Sequence, residues 1–306
     1  MLFTPLLRPL SYVLVIAAGF LLKRAGFFRA QDRHLLSKIM INITLPCAVV
    51  QAFDGFAGDA GLFLIVGIGL ACALLPILAM IPLSRRDDAR LRAYRLLNVG
   101  GSNIGCFALP LIEVFFGGAG AVLACLYDIG NAVVMTGGSY AIASTLTRTD
   151  GKRESARDVA MKFLGSVPFD INLAMLALAA LGIALPDALL TLTRPAGQAN
   201  AFIAMLVIGV TFEPVHDWAL LRETARELLW RYAFAAAFAA AIYFAAPLPL
   251  IARQTLVVIC FSPLSTLAPI YTDRCGGDAA LAGFTNSASI AVSLVVMITL
   301  SLLFVM

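Results

Sequence analysis

The chain alternates long apolar runs with short polar loops. A bilayer core of about 30 Å takes about 20 apolar residues per helix, so this pattern predicts ten spanning helices, which we number spans 1 to 10. They cover residues 7–24, 35–53, 61–83, 96–116, 119–146, 166–185, 196–213, 229–246, 250–272 and 279–305. The pattern therefore predicts an all-α integral membrane protein that lies in the lipid bilayer.

Basic residues fall mainly on one side of these spans, as they do in short cytoplasmic loops. Of the 22 Lys and Arg residues, all but Arg8, Arg194 and Arg253 are expected in loops on one side. These are Lys23, Arg24, Arg29, Arg33, Lys38, Arg85, Arg86, Arg90, Arg92, Arg95, Arg148, Lys152, Arg153, Arg157, Lys162, Arg222, Arg226, Arg231 and Arg274. The bias predicts that both termini lie outside the cytoplasm.

Ten spans divide into two halves of five. Because five is odd, the second half enters the membrane in the opposite sense to the first, which predicts a 5+5 inverted repeat. Residues 1–147 would form the first repeat, the basic segment 148–165 a cytoplasmic linker, and residues 166–306 the second, inverted repeat.

Composition excludes several other classes. The chain is 61% hydrophobic and 13% charged, which a soluble domain of this size could not bury. Its net charge of +4 is explained by the basic loops, so no nucleic-acid partner is predicted. The six cysteines and two histidines have no metal-ligand spacing, and no ATP-binding loop is present. We therefore predict no metal, no resident cofactor and no enzymatic activity.

Span 4 contains residues that interrupt a helix. Asn103 to Pro110 lies in an apolar run and includes Gly105, while Gly100 and Gly101 precede it. Proline lacks a backbone N–H and frees a carbonyl near Cys106, and backbone groups freed in a bilayer must be satisfied by protein, water or ligand. Alone, such a kink is more typical of helix packing than of a binding site.

A second interruption lies in span 9. Pro110 precedes the pair Gly117 and Gly118, and 159 residues later Pro269 precedes Gly276 and Gly277 at the same spacing. Matched breaks in two halves of a membrane protein indicate a transport site. The broken crossover helices of spans 4 and 9 are expected to meet near the midplane, where half-helix N-termini can seat an anion such as a carboxylate.

Polar residues near these breaks are the candidate site. Ser262, Ser265 and Thr266 supply hydroxyls in span 9, although each can instead bond to its own backbone. Asp128 lies about 13 Å into span 5 at 1.5 Å per residue, with Asn131 one turn away. Asp128 could bind a coupling proton or Na⁺ or only tie helices together.

Four further polar positions belong to no motif described so far. Glu113 could take part in gating, packing or substrate contact, and Ser287 in span 10 is the repeat counterpart of Asp128. Asp170 and Asn172 open span 6, where interfacial water would explain them.

These residues resemble a known family. Asn103-x4-Ala108-x-Pro110, followed by Leu111-Ile112 and Phe116-Gly117, resembles the Asn-x4-Gly-x-Pro motif of the auxin efflux carrier family, which includes bacterial organic-acid and malonate permeases. Three other segments also resemble the corresponding parts of this family: Tyr127-Asp128-x-x-Asn131, Pro263 with Cys275-Gly276-Gly277-Asp278, and Ser289 to Leu294.

The resemblance implies a scaffold of spans 1, 2, 6 and 7, often a dimerising one, and a mobile transport core of spans 3–5 and 8–10. Asn103 would contact the substrate carboxylate, while Pro110 and Pro263 would hold the breaks open. Ala108 replaces the family's glycine, and Leu267 replaces an asparagine common in relatives. The substrate therefore cannot be copied from relatives.

The resulting hypothesis is a secondary active transporter of small organic anions, mono- or dicarboxylates such as malonate, in the bacterial inner (plasma) membrane. Coupling to protons or Na⁺ stays open. Alternatives are a passive channel, a sodium/bile-acid-type symporter of similar fold and an intramembrane aspartyl protease. The protease would need Asp128 and Asp278 to share one site, but the spacing around Asp278 is wrong for that class.

Overall fold

The computed structural model describes residues 4–29, 31–56, 61–147, 167–212 and 218–305. Within these ranges the chain is helical and contains no strand, which confirms the all-α prediction. The predicted cytoplasmic linker at 148–165 lies outside the described residues, as does its boundary with the second repeat.

Thirteen helices are described, three of them preceded by a five-residue π-helical turn. The helices are α1 (Thr4–Arg24), α2 (Asp32–Ile39), α3 (Leu45–Ala52), α4 (Gly61–Leu83), α5 (Ala89–Asn98), α6 (Leu109–Val133), α7 (Ser139–Thr147), α8 (Val167–Ala180), α9 (Asp187–Thr211), α10 (Trp218–Ala245), α11 (Leu250–Cys260), α12 (Ala268–Arg274) and α13 (Ala279–Val305). The π turns are Met40–Thr44 before α3, Ile104–Ala108 before α6 and Val134–Gly138 before α7.

Five helical stretches of the described residues are long and apolar enough to cross a membrane. They are Asp32–Ala52, Phe63–Leu83, Ile104–Thr147, Leu220–Ala245 and Ala279–Val305, and Val167–Ala180 and Leu250–Cys260 are shorter apolar helices. The stretch from Ile104 to Thr147 is interrupted at Gly117 (φ 67°, ψ −163°), which is the predicted boundary between spans 4 and 5. The ten-span inverted repeat stays a prediction.

Three helices begin earlier than the apolar pattern predicts. α5 begins at Ala89, α9 at Asp187 and α10 at Trp218, so arginines assigned to loops lie on helices. Arg95 shows the physical reason: its side chain is 3% exposed, and its guanidinium pairs with Asp87 at 3.0 Å and with Glu223 at 3.4 Å. Paired in this way, a basic side chain can enter a helical interior that an unpaired charge would avoid.

The helices pack in two groups. α1 and α3 pack against α9, and α8 packs against α3; α4 packs against α6, and α10 packs against α11 and α13. Span 1 therefore contacts span 7, and span 2 contacts span 6. In the predicted inverted repeat, span 1 corresponds to span 6 and span 2 to span 7. The symmetry would therefore map one of these contacts onto the other.

Candidate functional site

The break in span 4 lies between α5 and the π turn that precedes α6. Residues 99–103 are non-helical, and Gly101 has φ +65°. A Cβ at Gly101 would overlap the side chain of Met135, so both the conformation and the contact require glycine there. The break therefore ends at Asn103, before Pro110.

Pro110 does not open this break. It lies in the first turn of α6, where a missing N–H costs little. The wide π turn joins the break to α6, with the N–H of Ala108 donating to the carbonyl of Asn103 at 3.3 Å. Glycine conformation and the π turn, rather than proline, interrupt span 4.

The break in span 9 occupies residues 261–267, between α11 and α12. Pro263 lies inside it, and Pro269 lies in the first turn of α12, as Pro110 does in α6. After α12 the chain turns at Gly276 (φ 71°), which matches the φ of 67° at Gly117. The two interrupted segments thus have similar local structure at corresponding positions.

The two breaks touch each other. The backbone N–H of Asn103 donates to the carbonyl of Pro263 at 2.9 Å. A backbone hydrogen bond between residues so distant in sequence joins the interruptions into one crossing, in which a polar group of each break satisfies the other.

Arg231 binds both breaks from α10. Its side chain is buried, with the residue 5% exposed. Nη1 donates to the carbonyls of Val99 and Gly100 at 3.4 and 3.3 Å, and Nη2 donates to Ser102 Oγ and to the carbonyl of Ser262, both at 2.9 Å. The guanidinium therefore lies against the C-terminal ends of α5 and α11, where a cation is favoured.

Asn131 holds the first break from α6. Its Oδ1 accepts from the N–H of Ser102 at 2.9 Å, and its Nδ2 donates to the carbonyl of Ser102 at 2.8 Å and to Asp128 Oδ1 at 3.0 Å. Asp128 is partly buried and lines a small void with Gly105 and Asn172. Asp128 and Asn131 thus contact the break, but neither lines the large cavity described next.

A cavity of about 730 Å³ lies on the other face of the crossing. Asn103, Thr266 and Ser287 line it together, so the structure brings one predicted residue from each of spans 4, 9 and 10 to one space. The opposite wall comes from α2, its π turn and α9. The residues of this wall that line the cavity are Arg33, His34, Ser37, Met40, Ile41, Val207, Ile208 and Thr211.

Comparison with known proteins identifies the family of this chain. A family model described as membrane transport protein matches residues 9–162, which is half of the chain. The chain belongs to this membrane transport protein family, the auxin efflux carriers. A search of curated proteins found no match.

Not every predicted residue reaches the carrier's cavity. Gly105 lies beside Asp128, and Glu113 is partly buried farther along α6. Pro110, Pro263 and Ser265 are buried and line no part of the cavity; Pro263 supplies its carbonyl to Asn103, and Ser265 Oγ accepts from the N–H of Leu267 at 3.3 Å.

Sequence reasoning missed two residues of this carrier. Arg231 was assigned to a basic loop although it lies within predicted span 8, and an ionisable residue inside a span is a signal of function. Asn172 was expected to face interfacial water, but it is 5% exposed, and its Oδ1 has no hydrogen-bond partner among the described residues. That expectation was wrong because the first turns of α8 pack against α3 and α6, so Asn172 lies between helices rather than in interfacial water.

Proposed function

We propose that this member of the auxin efflux carrier family is a secondary transporter of small organic anions. The observation that carries the proposal is the charge of the cavity wall. Of the described residues that line the cavity, Arg33 is basic and none is Asp or Glu. A space lined in this way attracts anions and offers no carboxylate to a cationic substrate.

The crossing supplies hydrogen-bond donors to the same space. Asn103 lines the cavity and precedes the π turn that leads into α6. The first N–H groups of a helix have no partner within that helix, and the helix dipole is positive at this end. A substrate carboxylate would therefore accept hydrogen bonds from the side-chain amide of Asn103 and from backbone N–H groups near Cys106.

The size and lining of the cavity favour mono- and dicarboxylates with some apolar surface. The volume of about 730 Å³ exceeds what malonate needs. Ile41, Val207, Ile208, Ile270 and Phe284 cover much of its wall. One end of the cavity lies at Arg33 and His34. With the basic loops placed in the cytoplasm, as the sequence predicts, this conformation would be an inward-open state.

The position of the cavity between the two groups of helices supports alternating access. One wall belongs to α2 and α9, and the other to the crossing and α13. If the crossing slid past α2 and α9 as a unit, the space in front of Asn103 would open to the opposite side of the membrane. Such rigid-body movement around a fixed site is the usual mechanism in transporters with broken helices.

Uptake of labelled malonate and related carboxylates into proteoliposomes tests the proposal. We expect saturable uptake that responds to a pH or Na⁺ gradient. This result would exclude a passive channel, which such a gradient would not drive. Asn103→Ala should reduce uptake at least tenfold, which corresponds to about 1.4 kcal/mol. Asn42→Ala is the matched control, since Asn42 is an exposed amide on the π turn before α3. Unchanged uptake in Asn103→Ala would remove Asn103 from the substrate site.

The protease alternative is not supported by the positions of its two carboxylates. Asp278 pairs with Arg90 at 2.9 Å and accepts from the N–H of Leu281 at 3.0 Å. Asp128 instead bonds to Asn131 beside the crossing. Two catalytic carboxylates must share one site, and these two line no common cavity among the described residues.

A further inference from the structure

A small void beside the crossing is lined by a carboxyl group and by an amide oxygen that has no donor among the described residues. It is lined by Asp128 of α6, Asn172 of α8, Gly105 and apolar residues that include Leu45 and Val49 of α3. Asn172 Oδ1 is fully buried and has no hydrogen-bond partner among the described residues. A buried acceptor without a donor destabilises the folded protein, so a donor is expected in this void.

Asp128 Oδ2 is the atom that can carry this donor. Asp128 Oδ1 already accepts from Asn131 Nδ2 at 3.0 Å, which leaves Oδ2 for another role. Oδ2 faces Gly105, where an added Cβ would lie 3.5 Å from it. We propose that Asp128 holds a proton on Oδ2 in this conformation. The protonated Oδ2 donates a hydrogen bond to Oδ1 of Asn172 and so links α6 to α8.

The surroundings favour a proton over a metal cation. The void is too small to admit a water molecule. Na⁺ binds through several oxygen ligands, whereas the side-chain oxygens that line the void among the described residues come from Asp128 and Asn172 alone. The titratable groups that face Asp128 are the thiols of Cys106 and Cys125, while α3 presents Leu45 and Val49. No Lys or Arg lines the void among the described residues, so no basic side chain there balances an ionised carboxylate.

The bond would couple the proton to movement. α8 packs against α3, on the side of the scaffold, whereas Asp128 is joined through Asn131 to Ser102 in the break. Loss of the proton would replace the donor by a carboxylate oxygen facing an amide oxygen, and these repel. The crossing would then be released from α8. This consequence rests on the proposed transport function, while the proton site itself does not.

Infrared spectroscopy of the reconstituted protein tests the site without any substrate. At neutral pH we expect a C=O stretching band of a protonated carboxyl that disappears in Asp128→Asn. Asn172→Leu should shift this band to higher frequency because the hydrogen bond is lost. Asp170→Asn, on the same helix as Asn172, is the control and should leave the band in place. Identical spectra of the wild-type protein and Asp128→Asn would overturn the proposal, because the carboxyl of Asp128 would then be ionised at neutral pH.

Transport tests the coupling separately. A gradient of about one pH unit holds about 1.4 kcal/mol per coupled proton and drives about tenfold accumulation. We expect this accumulation of labelled malonate in the wild-type protein and none in Asp128→Asn, which should still exchange malonate without a gradient. Full gradient-driven accumulation in Asp128→Asn would overturn the coupling role. If the wild-type protein took up no carboxylate, the proposed function would fail, and the infrared band would still decide the proton site.

Discussion

Replacement of Arg231 should loosen both breaks at once. Its guanidinium donates to the carbonyls of Val99, Gly100 and Ser262 and to Ser102 Oγ at 2.9–3.4 Å. Arg231→Met keeps much of the apolar volume of the side chain and removes all four donations. The four oxygen atoms would then have to find water or other donors inside a packed crossing.

The size of the effect follows from these contacts. Removing one side of a buried charge interaction costs about 3–5 kcal/mol, because the remaining polar groups stay desolvated. Part of this cost is returned because the buried charge no longer has to be desolvated, so we expect a net loss of about 3 kcal/mol in the local stability of the crossing. At about 1.4 kcal/mol per factor of ten, amide exchange in the breaks should become faster by about a hundredfold.

Hydrogen–deuterium exchange measured by mass spectrometry gives the required resolution. Peptides that cover residues 99–103 and 261–267 should both lose protection in Arg231→Met. Arg231→Lys should give an intermediate result, because a point charge with three donors cannot reproduce the planar fork. Arg226→Met, an exposed arginine on the same helix, is the control and should leave both peptides unchanged. If only one break lost protection, or neither did, the idea that Arg231 joins them would be refuted.

Two further substitutions test the local structure of the first break. Gly101→Ala should abolish folding, since Gly101 has φ +65° and the side chain of Met135 occupies the Cβ position. Gly55→Ala, at φ +66° in open space, should lower the free energy of unfolding by only about 1–2 kcal/mol. The yield of monodisperse protein in detergent compares the two variants, and equal yields would contradict the steric argument. Asn131→Leu removes three hydrogen bonds from Ser102 and Asp128 and should lower the maximal rate of carboxylate uptake about tenfold or more; an unchanged rate would show that the break holds its shape without this amide.

The breaks could be located from the sequence because glycine and proline have strong and opposite backbone effects. The pattern of Pro110 and Gly117, repeated at Pro269 and Gly276, correctly marks two helices with an interruption before each proline. The predicted position of the break was wrong in span 4, because the chain is interrupted at residues 99–103 and not at Pro110. Proline at the first turn of a helix resembles proline within a break when only spacing is considered, and the π turn that separates them leaves no clear sequence signal.

The contacts made by buried polar side chains could not be predicted in the same way. Hydropathy places a helix boundary where charges begin, so α10 was predicted to start at residue 229 rather than at Trp218. Whether an arginine lies in a loop or inside the protein depends on acceptors supplied by distant segments. For Arg231 these acceptors are freed carbonyls of two breaks, and for Asn172 the proposed donor, Asp128, lies on another helix.

Arg231 would give the predicted inverted repeat a centre that is not symmetric. The offset of 159 residues that relates Pro110 to Pro269 relates Cys72 of α4 to Arg231 of α10. Both side chains line one small cavity against the two breaks, so equivalent positions in the two halves face the same point. Two arginines there would place like charges side by side in a desolvated site, and one guanidinium already reaches both breaks. In the predicted repeat, a symmetric backbone with a single central charge would allow each half to hold the other, and Cys72→Arg should destabilise the crossing even though it would make the two positions identical.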